Sequence, residues 1–286
     1  MNTLSCKFEF LNGEFVESGK PVLHGSNRAF KYGDGLFETI KVANKVPLFF
    51  DDHFNRLSYG MNVLKLALRD DFNAASIKNF IVSLMEKNNI SSARIRLEVF
   101  RDGNGFYLPD SSTALWLMTA TELETPDYPH HSEGLKAGIF TDEPKSLSTL
   151  SNIKTLNGLI YILAAMNARE NGCDENFIIN SDGNIIESVS SNVFVVTQGV
   201  LLTPPLSQGC LDGVMRKNVI RIALQNGLKV EEKTITPELL TAANEILLSN
   251  VIKGIQWVHS FQNVTYSGTF AQKLTMWINS ELRKLA

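Results

Sequence analysis

The chain has 286 residues, 44% of them hydrophobic and 20% charged, and a formal net charge of -3 from 27 Lys+Arg against 30 Asp+Glu. This composition fits a soluble globular protein of one large or two smaller domains, and it lacks the basic excess that nucleic-acid binding requires. Three widely spaced cysteines (Cys6, Cys173, Cys210) form neither a disulfide framework nor a metal knuckle, Met1–Lys7 lacks the pattern of an export signal, and the longest apolar stretch, about Gly158 to Met166, is far shorter than the roughly 20 residues of a membrane span, so a cytoplasmic protein with no membrane role is expected.

From Lys7 to Phe50 the pattern is of short strands: Lys7–Phe10 alternates, Asn12-Gly13 makes a hairpin turn, and Asn44-Lys45 divides Leu36–Val42 from Val46–Phe50. Asp51-Asp52 offers an N-cap for a helix through about Leu66, and Asn73 to Lys87 repeats apolar residues at helical spacing. Strands return at Ala93–Phe100 and Ala114–Thr121. The polar, proline-containing segment that follows shows neither period and reads as a linker at 123–133, between an N-terminal domain (1–122) and a C-terminal domain (134–286).

Past the linker, Leu135–Thr141 reads as a strand, and Leu156 to Glu170 as a helix whose mostly apolar surface implies burial between layers. Asn176–Ile179, Ile185–Ser188, Asn192–Val196 and Val200–Thr203 are short strands, with turns at Asp182-Gly183 and Gln198-Gly199. Val214–Gln225 is an amphipathic helix ending at Gly227, Thr236-Pro237 starts another, and Gln272–Leu285 closes the chain. The class is α+β: two α/β domains built on largely antiparallel sheets.

His130, His131 and Glu133 adjoin one another but fit a solvated linker better than a metal site, and no GxSxG elbow or complete GxGxxG loop occurs. Gly33-Asp34-Gly35 permits positive φ or a close approach. Lys154, at the start of the apolar helix, is either a snorkelling surface lysine or an amine in use. Glu187 ends a strand in a serine-rich segment, and Arg56 could pair with Asp51 and Asp52. Together, a lysine amine, a carboxylate for a pyridine nitrogen, an arginine for a phosphate and a glycine-opened helix N-terminus at Leu211–Arg216 are what pyridoxal phosphate (PLP) requires.

The wording and order of seven segments give the same reading: Arg28–Ile40, His53–Leu57, Ile153–Asn157, Ile186–Phe194, Thr203–Pro205, Leu211–Arg216 and Ala242–Ile246. Over nearly its whole length the chain resembles the class IV, fold-type IV PLP-dependent aminotransferases, which include branched-chain and D-amino acid aminotransferases and aminodeoxychorismate lyases. The resemblance implies a homodimer whose partner completes the active site. It implies that Lys154 carries PLP covalently, that Glu187 binds the pyridine nitrogen, and that Arg56 with the amides of Val214 and Met215 holds the phosphate. It also implies that Leu211 packs on the cofactor ring, with Ser249 and Asn250 in the phosphate-side loop, where Val251 stands in place of a frequent threonine. Arg28, Tyr32, Phe37, Arg96 and Arg101 are the candidate substrate residues. By the strand period of two, Arg94 and Arg96 share a face and Arg101 lies on the other unless a bulge intervenes.

The activity implied is transfer of an amino group between a branched-chain L-amino acid or a D-amino acid and a 2-oxo acid such as 2-oxoglutarate, by a ping-pong mechanism. The alternative is 4-amino-4-deoxychorismate lyase, which releases pyruvate and 4-aminobenzoate and whose wording Asn250-Val251 resembles. A non-catalytic PLP-binding protein is a third reading, set against the presence of Lys154, Glu187 and Arg56 together.

Overall fold

A computed structural model describes residues 6–67 and 72–283. The sequence readings at Met1–Ser5 and at the end of the last helix, Leu285, lie outside the described residues. The chain divides into two compact units, the first running up to Asp127 and taking in Ile153–Asn157, the second comprising Tyr128–Asn152 and the chain from Gly158 on.

In the first unit the elements are β1 (Phe8–Leu11), β2 (Glu14–Glu17), α1 (Arg28–Tyr32), β3 (Gly35–Ala43), β4 (Val46–Pro47), α2 (Phe50–Leu64), α3 (Ala74–Asn88), β5 (Ala93–Arg101) and β6 (Ala114–Glu122). The strands form one six-stranded sheet in the order β2-β1-β6-β5-β3-β4, and every pairing in it is antiparallel. The Asn12-Gly13 and Asn44-Lys45 turns both have positive φ at their two central residues, the twist that joins antiparallel neighbours tightly. Alternation along β5 sends Ala93, Ile95, Leu97 and Val99 into the core with Ile77, Ile81, Leu84 and Met85 of α3. The register of β5 against both neighbours is unbroken, so Arg101 shares the core-facing side and Arg94 and Arg96 the other. One expectation is corrected. Asp51 and Asp52 do not cap α2; the cap is Phe49 in a left-handed conformation, and the two acids lie in the first turn, where their charge faces the positive end of the helix dipole.

The second unit holds β7 (Leu135–Lys145), α4 (Leu159–Glu170), β8 (Glu175–Asn180), β9 (Ile185–Ser188), β10 (Asn192–Thr197), β11 (Val200–Thr203), a 3₁₀ turn at Leu206–Gln208, α5 (Val214–Gln225), β12 (Lys229–Glu232), α6 (Pro237–Thr241), β13 (Glu245–Asn250), β14 (Gly254–Phe261), β15 (Val264–Thr265) and α7 (Thr269–Leu282). Its nine-stranded sheet runs β12-β11-β10-β13-β14-β7-β8-β9, with β15 on β14. The pairs β11/β12, β14/β7 and β7/β8 are parallel and the rest antiparallel. Thr236 caps α6 by accepting from the Leu239 amide, with Pro237 at the first helical position.

Two expectations fail at α4. The helix begins at Leu159 rather than Leu156, because residues 153–157 are not helical and are tied to the start of β3 by the Leu36–Thr155 bridge. Nor is the helix buried between layers: it covers only Ala164 and Ala168, and Leu159, Ile162, Leu163 and Met166 form an exposed apolar stripe at helical spacing.

Candidate active site

The first unit builds one constellation around β3. Phe37 N donates to Lys154 O at 2.9 Å and Leu156 N to Gly35 O at 3.0 Å, with Leu36 and Thr155 in an antiparallel bridge. Lys154 therefore sits on a locked extended segment, not on the helix the sequence pattern suggested. Its ammonium lies 4.5 Å from the centroid of the Phe37 ring, and the Arg96 guanidinium carbon is 3.9 Å from the same centroid. Arg96 Nε donates to Glu98 at 2.8 Å, which offsets its charge on this face of the sheet.

Arg56 has a partner other than Asp51 or Asp52. Helix spacing puts His53 and Arg56 on one side of α2, where both meet Glu38 of β3. Arg56 Nε and Nη2 donate to the two Glu38 oxygens at 2.7 and 2.5 Å, and His53 Nδ1 lies 2.7 Å from Glu38 Oε2. Burial opposes the charge on Glu38, but Arg56 and His53 outweigh it and hold the carboxyl at about 2. Burial likewise pushes the His53 imidazole below its ordinary value, against the pull of Glu38. An ionised carboxylate can only accept, so the neutral ring carries its proton on Nδ1 and donates it to Glu38. His53 Nε2 is buried and has no hydrogen-bond partner among the described residues.

Arg28 and Arg101 are tied to Asp34. Their Nε groups donate to Asp34 Oδ2 at 2.8 and 3.0 Å, Arg28 also donates to the carbonyls of Asn104, Gly105 and Phe106, and Arg101 to those of Leu64 and Lys65. Both arginines are buried. They staple the loop after β5 to the turn before β3, a turn made possible by Gly33 at φ 62. Tyr32 lies beside them, 5.0 Å from the Arg28 guanidinium and 5.7 Å from the Tyr107 ring.

In the second unit Glu187 is buried at the end of β9. Its Oε1 accepts from Lys145 Nζ at 2.6 Å and from the Tyr161 hydroxyl at 2.8 Å, and its Oε2 from Leu211 N at 2.8 Å. Burial, together with Glu187, raises the Tyr161 pKa, so the phenol stays protonated and donates. A carboxylate has about four acceptor sites, and these three donors leave one for a further N–H.

α5 starts at Val214, three residues after Leu211, whose amide meets this carboxylate. Its first-turn amides, including Val214 and Met215, have no partner within the helix and carry the positive end of its dipole. Gly213 is required by close packing, since a Cβ there would collide with the Asn192 side chain, which itself donates to Leu211 O at 2.9 Å. Asn192 pairs across the sheet with Ser249, so both side chains leave the same face. Ser249 Oγ and Ser191 Oγ are buried without a hydrogen-bond partner among the described residues. Asn250 is occupied in holding its loop, donating to Ser190 O at 2.6 Å and accepting from Ile252 N at 2.9 Å. Buried unpaired hydroxyls, open amides and a helix dipole suit a phosphate, and the remaining acceptor site on Glu187 suits a protonated pyridine nitrogen. The donor set thus fits PLP.

Sequence reasoning missed Glu38, Lys145 and Tyr161. The signal for Glu38 was a carboxylate inside the apolar run Leu36–Val42 with His53 and Arg56 three residues apart on a helix. Lys145 and Tyr161 lie 42 and 26 residues from Glu187 and carried no local signal.

These features belong to a known class of enzyme. The fold is that of a branched-chain aminotransferase from the thermophilic archaeon Thermoproteus uzoniensis, solved with norvaline, at a TM-score of 0.86 and 25% identity over 95% of this chain and 93% of that one. The family model for class IV amino-transferases matches residues 35–261, and the chain belongs to that family. It is 26% identical over 280 residues to the D-alanine aminotransferase of Bacillus licheniformis, covering 95% of this chain and 94% of that protein. It is equally 26% identical over 286 residues to the aminodeoxychorismate lyase of Bacillus subtilis (strain 168), covering 96% and 95%. No helix among the described residues is long and apolar enough to cross a membrane.

Proposed function

We propose that the protein is a cytoplasmic PLP-dependent aminotransferase that moves an amino group between a branched-chain L-amino acid or a D-amino acid and a 2-oxo acid such as 2-oxoglutarate. The observation that carries this reading is Lys154, a lysine on an extended segment locked against β3, with its amine over an aromatic ring, in a chain of the class IV family. PLP, when bound, supplies the electron sink that stabilises negative charge at the substrate Cα.

The residues divide the work by chemistry. Lys154 Nζ would hold the cofactor covalently and, as a free amine, would take and return the Cα proton. Glu187 accepts from the pyridine N–H at its remaining acceptor site and keeps that nitrogen protonated. Lys145, Tyr161 and the Leu211 amide hold the carboxylate in place. Leu211 would pack on the ring. Arg56, the Val214 and Met215 amides and the Ser249 hydroxyl hold the phosphate, with Asn250 shaping the loop. For the substrate carboxylate, Arg96 is the better placed arginine, since Arg28 and Arg101 are taken up by Asp34 and by loop carbonyls; Phe37 and Tyr32 line the approach.

A steady-state test follows from the two half-reactions. Double-reciprocal plots of rate against amino acid at several 2-oxoglutarate concentrations are expected to be parallel. Intersecting lines would contradict the ping-pong scheme.

The aminodeoxychorismate lyase reading is favoured by the match to the Bacillus subtilis lyase along 96% of the chain and by Val251 after Asn250. It requires release of pyruvate and 4-aminobenzoate from aminodeoxychorismate by the purified protein, and absence of both products would remove it.

The reading includes a homodimer. The exposed stripe Leu159, Ile162, Leu163 and Met166 on α4, and Phe30 at 80% exposure, supply apolar surface for a second copy to cover. Light scattering is expected to give the mass of a dimer; a monomer at working concentration would contradict it.

A further inference from the structure

We infer that Glu38 is the positioning residue for the phosphate-binding guanidinium, acting through its two hydrogen bonds to Arg56 and itself held by His53. The inference rests on the reading that Arg56 contacts the cofactor phosphate.

Three facts carry it. First, Glu38 is 1% exposed and engages Arg56 through both oxygens, at Nε and Nη2, so the plane of the guanidinium is fixed and not merely its location. A planar fork held along one edge presents its remaining N–H groups in one direction only. Glu38 takes two of the about five guanidinium donors. Second, His53 donates to the same Glu38 oxygen that receives Arg56 Nη2, which limits rotation of the carboxylate about its own axis. Third, the buried Glu38 carboxylate faces the opposite charge of Arg56 and a neutral His53, so the pair tolerates burial. An arginine left to itself on a helix surface would lose side-chain entropy on meeting the anion; this one has lost it already.

Glu38 lies beside Phe37, whose ring carries Lys154, but the pleat sends successive side chains to opposite faces. Its effect is therefore on the phosphate end and not on the lysine linkage.

The test compares two aldehydes that both link to a lysine, PLP and unphosphorylated pyridoxal, by titrating protein stripped of cofactor and reading the dissociation constants from absorbance. Glu38→Gln keeps the shape, but its amide NH₂ faces the Arg56 donors and one bond is lost. It is expected to weaken PLP by about tenfold while pyridoxal stays within about twofold of wild type. Arg56→Lys keeps the charge and removes the fork, so it is expected to lose the preference for PLP, and adding Glu38→Gln to it should cost nothing further for either aldehyde. Equal weakening of PLP and pyridoxal by Glu38→Gln would assign Glu38 to general stability, and no weakening of PLP would show that Arg56 orients itself. Either result overturns the inference. If Arg56→Lys retains the full preference for PLP, the phosphate role of Arg56 itself fails, a separate outcome that removes the premise. Should Glu38→Gln not fold, His53→Asn leaves the Glu38–Arg56 pair intact and is expected to lower the PLP preference by about threefold; an unchanged preference would count against the chain of positioning from His53 to Glu38.

Discussion

Lys154→Ala is expected to remove turnover, by about four orders of magnitude or more, and to remove the absorbance band of the lysine-linked cofactor. On the proposed reading two functions go at once, the covalent attachment and the proton transfer at the substrate Cα. The fold should survive. What ties this segment to β3 is backbone pairing, Phe37 N to Lys154 O and Leu156 N to Gly35 O, and alanine keeps both bonds. A small primary amine added to the solution can replace the proton carrier but not the tether, so partial rescue of the rate without return of the band is the expected signature. Unassisted turnover by the alanine variant would end the assignment of Lys154.

Glu187→Gln comes next in size. The carboxylate receives Lys145, Tyr161 and the Leu211 amide, and an amide in its place cannot hold a pyridine nitrogen protonated or balance the Lys145 charge. The rate is expected to fall by about 10²–10³. Stability is expected to fall by about 3–5 kcal/mol as well, because the Lys145 side chain is only 13% exposed and would be left without its counter-charge. The two losses can be separated. Adding Lys145→Met removes the stranded cation and should return most of the thermal stability while leaving the rate low, since the acceptor for the ring nitrogen is still missing. A double variant that regained the rate would show that Glu187 matters only as a partner for Lys145.

Much of this was legible in the chain itself, and the exceptions have physical causes. The turns at Asn12-Gly13 and Asn44-Lys45, the span of α5 and the Thr236-Pro237 start of α6 follow from local chemistry that tertiary contacts did not override. The segment around Lys154 misled because an apolar pattern reads alike in a helix and in the extended chain leading into one, and only the pairing with β3 separates them. The Asp51-Asp52 pair looked like a cap, but dipole attraction draws acids into a first turn as readily as capping places them just before it. The apolar surface of α4 was visible in sequence, while its exposure was not, because a periodic pattern shows that a face needs covering without showing what covers it.

Candidate site residues could be picked out where they stand in short motifs, whereas their hydrogen-bond partners could not, because these come from a distance. Lys154, Glu187 and Arg56 lie in short, ordered motifs. Their partners, Glu38 for Arg56 and Lys145 with Tyr161 for Glu187, come from separate elements that the fold assembles. Regularity of β5 sorts the arginines as the period of two required, with Arg101 on the core-facing side held by Asp34 and Arg96 on the opposite face beside Phe37.

The most direct test is a single half-reaction without any acceptor: the protein in its lysine-linked PLP form is mixed with one L- or D-amino acid at a time, and the band of the linked cofactor is followed. The expected result is stoichiometric loss of that band with formation of the amino form of the cofactor and one 2-oxo acid per site, for amino acids of one configuration. A persistent band with every amino acid, alongside release of pyruvate and 4-aminobenzoate from aminodeoxychorismate, would contradict the aminotransferase and establish the lyase.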